Sequence, residues 1–182
     1  MKHHAPILLA LLLGLSACEK QPTASATDST PAAAADVSLD TWFTTTAPAA
    51  PQAIHKLRET AKPGDEIVLS GLVMGREQPF VDGRAAFVLG DPEILTPCNR
   101  MPDDECTTPW DACCDSKEDK LRGTATIQLV DENDRVLKTS IKGSHGLTEL
   151  SLVTLTGVVA KSSTPEALII NATKLHIAPQ PE

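Results

Sequence analysis

Past Lys62-Pro63-Gly64 the apolar residues of this chain stop recurring at helical spacing and fall into short runs broken by turns, which restricts the fold to a small, mainly β domain. Residues 66–75 form a β-branched-rich run with Gly71 inside it, the pattern of a strand that bends or bulges as it curves. Residues 85–89 make a second short strand, ended by Gly90-Asp91-Pro92. Residues 124–130 alternate Thr126 and Gln128 against Ile127 and Leu129, and the polar turn 131–134 is expected to return the chain as a hairpin arm over 136–141. A loop and brief helix follow over 143–150, and strands over 153–160 and 167–177 flank a turn at 162–165. Ahead of the strands, Pro51 near a helix start, Ile54 and Leu57 three apart and the stop at Lys62-Pro63-Gly64 predict one short amphipathic helix over 50–61.

The first seventeen residues read as an export signal: Lys2 at the basic start, an apolar run over 7–15, and small residues before a cut. That run falls short of the roughly 20 apolar residues a membrane helix needs, and Glu19-Lys20-Gln21-Pro22 follows at once. Leu15-Ser16-Ala17-Cys18 resembles the bacterial lipobox position by position. The resemblance implies lipidation of Cys18 with palmitate-like chains and cleavage before it. At about 0.8 kcal/mol per buried methylene, two or three chains give stable anchoring. Glu19 in place of Asp after the cysteine points, within that family, to the periplasmic face of the outer membrane. The expected organisation is therefore a signal over 1–17, a flexible lipid-anchored tether over 18–38, rich in Ala, Thr, Ser, Pro and Gln, and one domain over 39–179.

Five or six strands, a first strand interrupted by Gly71 and a small helix between the third and fourth strands resemble the OB-fold, a partly open Greek-key barrel. The usual OB ligand, a nucleic acid, is disfavoured here. Such binding needs a basic groove and stacking aromatics, whereas the chain carries a formal charge of −8, becoming −9 when Lys2 leaves with the signal, and only Trp42, Phe43, Phe80, Phe87 and Trp110 as aromatics.

The unusual segment is an insertion over 91–120 that holds Cys98, Cys106, Cys113 and Cys114 and nine acids against three bases. Its run Cys106-Thr107-Thr108-Pro109-Trp110-Asp111-Ala112-Cys113-Cys114 resembles a segment of small exported bacterial proteins with no assigned activity, so the likeness carries export and no chemistry. With Cys18 taken by lipid, four cysteines remain for an oxidising compartment, and two disulfides follow. A bridge between the adjacent Cys113 and Cys114 is geometrically strained. Cys98 and Cys106 are each expected to pair with one of those neighbours, stapling the insertion as a cap with loops worth at most about 3 kcal/mol apiece. The competing reading makes the four thiols, with Asp111 or His145, a zinc or copper site, or a redox pair. Zinc prefers cysteines two to four residues apart, whereas here seven residues, then six, then none intervene. Trp110 packs over the cap or contacts a partner. No phosphate loop, metalloprotease motif, calcium loop or catalytic triad is visible in the chain. The whole describes a lipid-anchored binding or structural module of the cell envelope with an envelope protein as partner, the alternative being metal handling or thiol redox.

Overall fold

Gly71 marks the place where the first strand changes partners, and that change closes the sheet. The computed structural model describes residues 38–102 and 105–179. The expected signal, Cys18 and all of the tether but its last residue lie outside the described residues. Strand β1 (Glu66–Val73) bonds to β4 (Leu152–Val159) from Glu66 to Leu72, then meets β2 (Ala86–Gly90) through Leu72↔Gly90 and Val73↔Leu89. A Cβ on Gly71 would stand 2.9 Å from the Gly90 carbonyl oxygen and 3.1 Å from Ile54 Cδ1, so only glycine lets β1 turn between its two neighbours. β3 (Thr124–Gln128) runs antiparallel to β2 and parallel to β5 (Ile169–Ile177), and β5 returns antiparallel to β4 with a register shift between Thr156 and Gly157. The resulting order, β1-β2-β3-β5-β4, is a closed five-stranded barrel. It is the mainly β, OB-like architecture expected from the strand pattern, with five strands rather than six.

Alternation along β3 and β4, and a β2 buried along its whole length, fill the barrel. β4 alternates exposed or half-buried residues with Val153, Leu155 and Val159 inside, and β3 turns Ala125 and Ile127 inward. Leu69, Phe87, Leu89, Ile127, Leu155, Ile170 and Leu175 are fully buried in one cluster. The interior is thus a packed core with no room for a ligand. Helix α1 (Ile54–Thr60) adds Ile54 and Leu57 to the same core. It begins later than expected because 50–53 run extended, Gln52 bridging Leu69, and it stops where Pro63 disfavours helical backbone at Lys62.

Three expectations are corrected. The arm over 136–141 is not a strand: only a Val130↔Val136 bridge forms, with Leu137 stitched in, donating to the Leu129 carbonyl at 3.0 Å and accepting from Ala85 N–H at 3.0 Å. Both edges of β3 are already taken by β2 and β5, so no ladder remains for the returning chain. The helix expected within 143–150 is a single 3-10 turn, Ser144–Gly146, with His145 in the left-handed region at φ 50°. The insertion, by contrast, ends in an unexpected helix α2 (Lys117–Gly123), where the Ser116 hydroxyl accepts from Asp119 N–H at 3.0 Å and donates to the Asp119 carboxylate at 2.7 Å. Among the described residues, no helix is long and apolar enough to cross a membrane.

Candidate functional site

The insertion leaves β2 through Asp91, which is 1% exposed although it bears a carboxylate. One of its oxygens accepts from Glu93 N–H at 2.9 Å, and the other from His55 N–H at 2.9 Å and from the His55 ring at 2.7 Å. An ionised carboxylate only accepts, so the ring nitrogen facing it carries the proton. Burial pushes the Asp91 carboxyl up, but the hydrogen bonds from His55 and Glu93 outweigh it and hold the group below its ordinary value. Asp91 thereby caps α1 from 36 residues away, supplying an acceptor that Ala53, at the cap position, lacks. In the sequence Asp91 reads as a strand stop and one of the insertion's acids, and nothing local signals His55 as a partner so distant.

Beyond Asp91, Leu95 and Ala112 pack with Leu72 and Met74 in a second small core, against which Ile94 and Trp110 lie half-buried. Trp110 donates its indole N–H to the Glu77 carbonyl at 2.9 Å and accepts at its own carbonyl from Gly75 N–H at 3.0 Å. Its ring edge and backbone are thus both engaged within the chain. The two limbs of the insertion then join: Cys98 N–H donates to the Asp111 carbonyl at 2.8 Å, Asn99 N–H to the Pro109 carbonyl at 2.9 Å, and Thr96 N–H to the Asp115 carboxylate at 2.8 Å. Those bonds set the 3-10 turn Cys98–Arg100 beside residues 111–113 and bring the sulphurs together.

Cys113 is the centre of the sulphur cluster. Its Sγ lies 3.3 Å from that of Cys98, 3.4 Å from that of Cys106 and 3.8 Å from that of Cys114. Cys98, Cys106 and Cys113 have their sulphurs all within 4.8 Å of one another, with Cys98 buried, Cys106 half-buried and Cys113 exposed. The cysteines expected to pair are therefore gathered, at contact distances well beyond the roughly 2.05 Å of a disulfide bond. Burial pushes the Cys98 thiol up, whereas hydrogen bonds from Cys98, Cys106 and Cys114 draw the Cys113 thiol down. A thiol held low and exposed is a readier nucleophile and ligand than the buried Cys98.

Neither Asp111 nor His145 belongs to that sulphur group. Asp111 uses a carboxylate oxygen to accept from Ala112 N–H at 2.7 Å. His145 sits on its own 3-10 turn, where Nε2 meets Asp40 Oδ1 at 2.8 Å and the ring stacks on Phe43 with centroids 4.2 Å apart. Its ring is committed to holding residues 40–43, which is why a lone loop histidine could be singled out in the sequence and yet have no place among the thiols.

A second feature lies on the barrel's outside. An open groove of about 820 Å³ runs over β2 and β3, lined among others by Val81, Arg84, Thr126, Gln128, Leu137 and Lys138. Val81 is 45% exposed, and among the described residues neither Arg84 nor Lys138 has a carboxylate within ion-pair distance. No protein-family model, curated protein or solved structure matches the chain.

Proposed function

We propose that the protein is a lipid-anchored module of the bacterial cell envelope, tethered through Cys18 at the periplasmic face of the outer membrane, that binds an envelope protein on the outer face of β2 and β3. The observation that carries this reading is the groove over those strands. A filled barrel offers no internal binding site, so recognition falls to its surface. The groove combines exposed apolar contact at Val81 with two cations, Arg84 and Lys138, that have no ion pair, on a chain whose overall charge is −8. Such a surface suits a partner segment carrying acidic and apolar side chains. OB-like barrels use this strand face for ligands, which supports the placement by analogy. The anchor reading rests on the lipobox-like Leu15-Ser16-Ala17-Cys18.

Full-length protein in its native cell, carrying a photo-crosslinking residue in place of Lys138, tests the binding face. A discrete adduct from position 138 and none from exposed Glu66 on β1 is expected; equal labelling from both positions, or none from either, overturns it. The anchor is tested by Cys18→Ser, which is expected to move the protein from the membrane to the soluble fraction.

A further inference from the structure

We propose that the reduced insertion binds one copper(I) ion through Cys98, Cys106 and Cys113. The barrel groove plays no part in this, so the site stands or falls independently of the envelope partner.

The donor set chooses the metal. All three candidate ligand atoms are sulphur, and thiolates favour copper(I), zinc and iron–sulphur clusters over hard cations. Zinc structural sites are almost always closed by four ligands. Three sulphurs lie mutually within 4.8 Å, that of Cys114 is 3.8 Å from Cys113 but falls outside this group, and neither the Asp111 carboxylate nor the His145 ring joins them. A metal–sulphur bond of about 2.3 Å in a trigonal plane separates the sulphurs by about 4 Å. The observed separations of 3.3 and 3.4 Å, with all three sulphurs inside 4.8 Å, need shifts of well under an ångström on average to admit the ion. Three-coordination at that spacing is satisfied by copper(I).

The surroundings favour the same outcome. Cys98 is 1% exposed, so one ligand is anchored in protein, while Cys113 faces solvent and gives the ion a way in. The nine acids of residues 91–120 raise the local concentration of cations. Binding exchanges three thiol protons for one copper(I), with no change in oxidation state of sulphur or metal. Affinity therefore falls as pH falls, because protons compete for each sulphur.

The test uses the full-length protein extracted in detergent. Its thiols are counted as purified and again after reduction under anaerobic conditions, and copper(I) is then titrated against a chromogenic copper(I) chelator. The proposal expects titratable thiols in the purified protein, one equivalent of copper bound and a thiolate-to-copper absorption in the near ultraviolet. Cys98→Ser, Cys106→Ser and Cys113→Ser should each weaken binding by about a hundredfold or more, beyond the ten- to hundredfold that loss of a merely supporting residue costs. Cys114→Ser should change it only a few-fold while sharing any general folding defect of a cap variant, so it separates ligation from structure. Purified protein with no titratable thiol, failure to hold copper against the chelator, a preference for zinc(II) presented alone, or a Cys114→Ser loss as large as that of Cys113→Ser would each overturn the site.

Discussion

The barrel and its insertion are ordered by different means. In the barrel, the strands bury side chains in one closed core, and backbone pairing runs round the sheet with one register shift, between Thr156 and Gly157. In the insertion, few apolar residues are buried, chiefly Leu95 and Ala112 beside Cys98, and order comes from the buried Asp91, from backbone bonds between its two limbs and from sulphurs in contact. Hydrophobic burial makes the first region tolerant of its surface and intolerant of cavities. The second has so little apolar area that single polar groups and thiols decide whether it holds its shape. The sulphur cluster sits in the region with the smaller core.

That contrast can be broken most forcefully in the barrel. Phe87→Ala empties the centre of the core, where Phe87 is fully buried, and should cost about 3–5 kcal/mol in denaturant unfolding; a loss under about 1 kcal/mol would mean the core is not the barrel's main support. Asp91→Ala, at the hinge between the regions, removes the acceptor for three donors and should cost about 2–3 kcal/mol.

The same carboxylate predicts a pH signature. Its folded value lies below the ordinary 3.8, so its contribution is complete above that value and is lost as pH falls through the folded one. Wild type should therefore lose stability steeply below about pH 4, and Asp91→Asn should flatten that fall in midpoints measured from pH 6 to 3; parallel curves would remove Asp91 as its source. Trp110→Ala should cost less, about 1–2 kcal/mol, since the ring is half-buried and gives up one hydrogen bond. Its effect should appear as faster amide exchange over the insertion with β1–β5 unchanged, and uniform loss across the molecule would merge the two regions into one.

What the residues disclosed in advance follows the same division. Alternation marked β3, and apolar or β-branched runs bounded by turns marked the other four strands, because both are local consequences of burial and need no knowledge of partners. The arm over 136–141 misled because its own pattern is strand-like and only the occupied edges of β3 deny it a ladder. Helix α2 is legible in Ser116-Lys117-Glu118-Asp119 as a capping sequence, although the insertion's cysteines and acids dominate its composition. In the insertion, the grouping of Cys98, Cys106 and Cys113 could be anticipated from their number, whereas the central place of Cys113 depends on backbone bonds from Cys98 to Asp111 and from Asn99 to Pro109. His55 and Asp91 were invisible as a pair because a long-range hydrogen bond leaves no periodic trace.

Hydrogen exchange resolved along the chain, compared between wild type and Cys98→Ser/Cys113→Ser, tests most directly the claim that barrel and insertion are ordered separately. Faster exchange confined to residues 95–116, with β1–β5 amides keeping their protection, is the predicted result. Protection lost in parallel across the barrel strands would contradict it and make the sulphur cluster a support of the whole fold.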